Sequence, residues 1–190
     1  MVFLPFEFCD ALAAPGALGK RVVRPYLSSG MKASRPLTPG EIALAQSVFG
    51  DAIDYAPVRM VRRRWWPFQP KGVVMAPTGN IHFHPDSDLW SEDFSTERLS
   101  LQGLFIHEMT HVWQVQAKGR FYLVLMRHPF CRYGYTVKPG RQFDRYGLEQ
   151  QAEIVRHAFL AQRGGGTALA SVAVPLPFAW TPHPLSHLIS

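Results

Sequence analysis

The apolar positions along this chain change their period several times, and each change marks an element. From Thr38 the sequence reads Thr-Pro-Gly-Glu: an N-cap, a proline at the first helical position and a glutamate that completes a capping box. Ile42, Ala45, Val48 and Phe49 then recur at helical spacing until Gly50, a natural stop, so the pattern predicts a helix over 39–49. Residues 58–62 read as a short strand. Two β-branched and aromatic runs, 72–76 and 81–84, flank Pro77-Thr78-Gly79-Asn80, which is the pattern of a hairpin. A polar loop is expected over 85–96, a helix over about 96–116, a short apolar element over 122–126, and a last helix over about 146–162 closed by Gly164-Gly165-Gly166.

The first 35 residues carry glycine, serine and proline without a sustained period, so they read as a loosely ordered arm, with Met31 as an alternative start. Residues 36–163 read as one domain and 164–190 as a C-terminal tail, with neither an internal repeat nor a linker to divide them. With 190 residues, 47% of them hydrophobic and 13% aromatic, the chain has enough to bury for one ordinary core, which excludes intrinsic disorder. No run of eighteen apolar residues occurs, so no spanning helix is expected. The net charge of +6 permits anionic partners without choosing one, and the two cysteines, Cys9 and Cys131, are too few for a disulfide framework. The apolar start lacks a basic region and is interrupted by Glu7 and Asp10. A secretory signal is therefore not expected: the reading is cytoplasmic, with any export by a route that needs no cleavable signal.

Chemistry concentrates in Leu104-Phe105-Ile106-His107-Glu108-Met109-Thr110-His111-Val112-Trp113-Gln114. His107 and His111 are four apart on a helix, so both imidazoles project from one face and can reach one tetrahedral Zn²⁺ at roughly 2.0–2.1 Å. Glu108 follows the first histidine, where a zinc peptidase places the base that deprotonates water. The flanking residues are apolar, and burying three ionisable groups among them is costly unless they are paired or hold a metal. A third protein ligand is required. Glu149, Glu153 and His157 stand at i, i+4 and i+8 on one face of the last helix. Glu149 as ligand, with Glu153 hydrogen-bonded to a ligand histidine, is the favoured arrangement. The reverse assignment stays open, as does an all-histidine site completed by His157.

Other residues carry weaker signals. His82 and His84 alternate with Ile81 and Phe83, so they either line a substrate cleft or, the more ordinary reading, stand exposed on a half-buried strand. Tyr133, Tyr135 and Tyr146 are candidates to donate to an oxyanion, with core packing as the simpler role. Arg62-Arg63-Arg64-Trp65-Trp66 can stack on nucleic-acid bases, yet the basic residues are dispersed and no nucleic-acid module appears, so that partner is not expected.

Taken in order, helix 39–49 with Phe49-Gly50-Asp51, the strand Val58-Arg59-Met60, Asn80-Ile81-His82-Phe83-His84-Pro85, and the His107-to-Gln114 segment resemble a known family. It is the zincin-like domain that accompanies bacterial polymorphic toxins and contractile injection systems. The match is closer still to small bacterial proteins called Vgr-related, which share a Glu-Gln-Gln-Ala block like the one at Glu149. The resemblance spans about residues 36–163. It implies a minimal zincin fold, α+β, with a small mixed sheet packed on the metal helix and a second long helix. It also implies zinc held by His107, His111 and Glu149, with Glu108 as the base. Glu153 stands where related zincins usually have aspartate. The Vgr connection points to type VI secretion, although the long β-helical spike of such proteins is absent from the sequence. The function these readings support is zinc-dependent hydrolysis of a protein or peptide. The rival is a non-catalytic zinc-binding module that serves as adaptor or cargo of a secretion or toxin system.

Overall fold

The computed structural model describes residues 33–126, 138, 140–165 and 175–178. Among the described residues the architecture is mixed α+β: a three-stranded sheet and four helices, of which two are long. Strand β1 (Ser34–Pro36) leads into helix α1 (Pro39–Phe49), followed by β2 (Arg59–Val61) and β3 (Ile81–His82). The helices α2 (Leu99–Lys118), α3 (Tyr122–Met126) and α4 (Leu148–Gln162) complete the described order, with short 3₁₀ turns at Phe94–Thr96 and Phe143–Arg145.

α1 starts and stops where its local signals place it. The Thr38 side chain accepts from the Glu41 N–H at 3.0 Å, and the Glu41 carboxylate accepts from the Thr38 N–H at 2.9 Å. Glu41 also has a larger role. Fully buried, it accepts from the two terminal guanidinium nitrogens of Arg35 at 2.8 Å each and from the Phe94 N–H at 3.0 Å. A buried carboxylate needs such partners, and here they tie β1, α1 and the Phe94–Thr96 turn together.

The sheet runs β1-β2-β3, with β1 antiparallel to β2 (Arg35 opposite Met60) and β2 parallel to β3 (Met60 opposite Ile81). Strand β1 thus takes in Ser34 and Arg35, the last two residues of the expected arm. The expected hairpin contracts to a single antiparallel bridge, Met75 to His82, whose two main-chain bonds measure 3.1 and 2.7 Å. The reason lies in β3: its main chain turns at Phe83 to bond Val61 instead, at 2.8 Å. Meanwhile the Val73 N–H is used in a turn to Pro70, which stops residues 72–76 from forming a strand.

The excursion between β2 and β3 covers His82, which together with His84 was expected to be exposed. Both are buried. Trp65 lies edge-on to the His82 ring at 5.2 Å, and the His82 Nδ1 lies 3.3 Å from the Arg63 carbonyl. Gln69, also buried, pins the excursion by accepting from the Trp65 N–H at 2.8 Å and donating to the Val73 and His82 carbonyls. The His84 Nδ1 accepts from the Asp86 N–H at 3.0 Å.

α2 is the central element. Ten consecutive residues, Gly103 to Val112, are buried, so the helix is enclosed on every side. Phe105 stacks on Phe94 (5.6 Å, 15°), which stacks on Phe83 (5.7 Å, 27°), joining α2 to the sheet through one aromatic column. At the other end Trp113 meets Phe143 and Phe178 edge-on, and Phe178 reaches Phe49 of α1 at 4.9 Å. Gly119 at φ +106 closes the helix, its N–H on the Val115 carbonyl at 2.8 Å. α4 packs along α2 where Gly103 faces Leu160 and Arg156. Among the described residues no helix is long and apolar enough to cross a membrane.

Candidate metal centre

Enclosure of α2 puts His107, Glu108 and His111 out of solvent, at 2%, 4% and 3% exposure. From α4, Glu149 enters the same space at 2% exposure. Its Oε2 lies 3.2 Å from the His111 Nε2 and 3.6 Å from the His107 Nε2. One ligand atom from each of His107, His111 and Glu149 lies within 4.8 Å of the other two, so the three can hold one metal ion. The two rings stand 5.0 Å apart at 79°, one turn of α2 from each other.

Each histidine is also held from behind. The His107 Nδ1 meets the Glu153 Oε1 at 2.9 Å, and Glu153 in turn faces Arg156 at 3.4 Å. The His111 Nδ1 meets the Gln114 Oε1 at 2.8 Å. Gln114 donates from Nε2 to the Leu148 carbonyl at 3.1 Å and to the Gln151 Oε1 at 2.9 Å, and Gln151 donates to the Tyr146 carbonyl at 2.9 Å. Partners of this kind on the far nitrogen fix the orientation and basicity of an imidazole that binds a metal.

The electrostatics follow from this crowding of carboxylates around buried rings. Burial, the largest single influence on His107, lowers its pKa; hydrogen bonds to Glu149 and Glu153 and the charge of Glu108 together outweigh it and push the value up to about 10 without a metal. Burial likewise works to raise Glu153, but its hydrogen bond to His107 and the charges of His107 and Arg156 bring it down to about 2. The pair is therefore charged. His157, with Nε2 3.6 Å from the other oxygen of Glu153, has its pKa lowered by burial.

The structure thus brings His107, His111 and Glu149 together, sets Glu153 behind His107, and places His157 beside Glu153. Glu108 sits on α2 between the two histidines. His82 and His84 find their recorded partners in the sheet and its excursion. Tyr146 is buried, its hydroxyl accepting from the Lys138 N–H at 3.1 Å beneath Arg141. Tyr133 and Tyr135 lie outside the described residues, as do both cysteines. Sequence reasoning passed over Gln114 and Gln151. A buried-facing glutamine three residues after the second histidine was a usable signal, because an amide in an apolar helix requires a partner.

An enclosed helix carrying two histidines, answered by a glutamate from a second helix, defines a mixed α+β domain with a metal-competent centre. No family model matches the chain. It is similar to the type VI secretion system spike protein VgrG2b of Pseudomonas aeruginosa, at 42% identity over 168 residues, covering 85% of this chain and 16% of that protein. A solved structure, the effector domain of Pseudomonas aeruginosa VgrG2b, matches with a TM-score of 0.61 and 42% identity over 76% of this chain and 84% of that one. The chain belongs to the family of the VgrG2b effector domain. It spans about one sixth of the whole spike protein, namely 16%.

Proposed function

We propose that this protein is a zincin-like, zinc-dependent peptidase that acts as an effector of a type VI secretion system. The observation that carries the proposal is the convergence of two histidine nitrogens and one carboxylate oxygen, all buried and within 4.8 Å of one another, beside Glu108. This donor set suits zinc: two neutral imidazoles and a carboxylate leave a fourth position open, as catalytic zinc sites require. His107, His111 and Glu149 would hold the metal. Zinc supplies Lewis acidity there, polarising a peptide carbonyl and making water a stronger acid.

The rest belongs to the chain's own groups. Glu108 takes the proton of the attacking water on its carboxylate and returns it to the leaving amine. Glu153 holds the His107 Nδ1 and keeps Nε2 turned toward Glu149. Enclosure of α2 excludes bulk water from the base and strengthens each of these interactions. The effector role rests on the relation to the VgrG2b domain, and the substrate class, a protein or peptide, rests on the pairing of Glu108 with the metal centre.

Glu108→Gln separates the two halves of the proposal. The variant should keep one equivalent of zinc, measured by elemental analysis, and lose hydrolysis of a peptide library by about 10²–10⁴-fold. Retained hydrolysis would refute the mechanism. Zinc bound by the wild type with no turnover of any peptide would leave a metal-binding module without catalysis.

A further inference from the structure

Gln114 is almost wholly buried, at 1% exposure, yet it is neither a ligand nor an apolar core residue. Its amide orientation follows from its neighbours. The Leu148 carbonyl can only accept, so the Gln114 atom 3.1 Å away must be the donating Nε2. The same logic fixes Gln151: its Nε2 faces the Tyr146 carbonyl at 2.9 Å, which turns its Oε1 toward Gln114 at 2.9 Å. The Gln114 Oε1 is then left as an acceptor, 2.8 Å from the His111 Nδ1. Two main-chain carbonyls of fixed polarity therefore propagate through two amides to one imidazole.

We infer that Gln114 is a positioning residue that places the His111 proton on Nδ1, presents the Nε2 lone pair to the metal, and sets the register of α4 against α2. The last part follows from sequence adjacency: Gln114 grips the carbonyl of Leu148, the residue immediately before Glu149. One side chain thus orients the second ligand and anchors the backbone that delivers the third. Glu153 performs the first task for His107 but bonds no α2 main chain in doing so, which makes the two histidines unequal in their support. The inference rests on the zinc reading above for its consequence in affinity, and on hydrogen-bond polarity alone for the tautomer.

The test compares wild type, Gln114→Leu, Gln114→Glu and Gln151→Leu in the full chain. Zinc affinity is measured by chelator competition, and the His111 tautomer by ¹⁵N chemical shifts of the imidazole, with and without zinc. Gln114→Leu should weaken zinc by about 10–100-fold and remove the proton from Nδ1 in the metal-free chain. Gln114→Glu, which keeps an acceptor for Nδ1–H, should hold the wild-type tautomer. Gln151→Leu should shift both readouts in the direction of Gln114→Leu by a smaller amount, and it serves alone if Gln114→Leu does not fold. Wild-type affinity and an unchanged tautomer in the leucine variants would overturn the inference. If wild-type protein binds no zinc, the zinc reading fails separately, and an unchanged tautomer still overturns the role of Gln114.

Discussion

At the scale of single residues, the centre is a set of buried charges in which each member requires the next. His107 lies between Glu149, 3.6 Å from its Nε2, and Glu153, 2.9 Å from its Nδ1. Glu153→Ala would remove the carboxylate behind the ring, and zinc affinity should fall by about 10–100-fold in a chelator competition. Glu153→Gln, which retains an acceptor oxygen, should lose less. What could be read from the sequence here was whatever depends on spacing within one helix. His107, Glu108 and His111 stand at intervals that fix their common face, and Glu149 and Glu153 likewise. Which carboxylate meets which ring could not be read, because it depends on the rotation of α4 against α2. Gln114 and Gln151 were hidden for the same reason: their meaning lies in each other, 37 positions apart.

Elements show the same division between local and distant causes. α1 was legible to its end residues because the capping box and Gly50 are signals within the segment itself. α2 begins at Leu99 instead of the expected 96, since Asp93 caps a separate turn by accepting from the Ser95 N–H at 2.9 Å. β1 went unread because three residues carry no alternation, and Ser34–Pro36 is a strand only by virtue of β2. The α2–α4 pairing also yields a prediction. A Cβ at Gly103 would approach the Leu160 Cδ2 to 3.0 Å. A larger side chain must displace the Leu160 side chain or separate the two helices, which carry all three candidate ligands. Gly103→Val should cost roughly 1–3 kcal/mol of stability in a urea titration. It should also weaken zinc binding, whereas a surface glycine such as Gly72, with open space around its Cβ position, should tolerate valine on both counts.

For the whole molecule, the separate strands and long helices were legible from the alternation of periods, whereas the α+β class with its small mixed sheet, like the secretion relationship, came from the resemblance that the ordered motifs carry. The route of the chain between β2 and β3 was not legible, since the burial of His82 results from an excursion whose packing no local pattern encodes. The centre joins α2 and α4, which also meet through packing and the hydrogen bonds of Gln114, so metal should act on global stability. Zinc at 100 times its Kd is expected to add about 2.7 kcal/mol, read as a rise in thermal midpoint that a chelator reverses. In His111→Ala the midpoint should not respond to zinc.

The pair of half-buried Arg35 and buried Glu41 bears on how far this chain can be shortened from its amino-terminal side. A chain begun at Ala33 keeps the guanidinium and, with it, every bond of Glu41. One begun at Leu37 retains all of α1, α2 and α4, yet strands a carboxylate in the interior without its cation, at a cost of about 3–5 kcal/mol. A truncation from this side therefore meets a limit at Arg35, within the arm read as loosely ordered, set by a charge that lies on the far side of a turn.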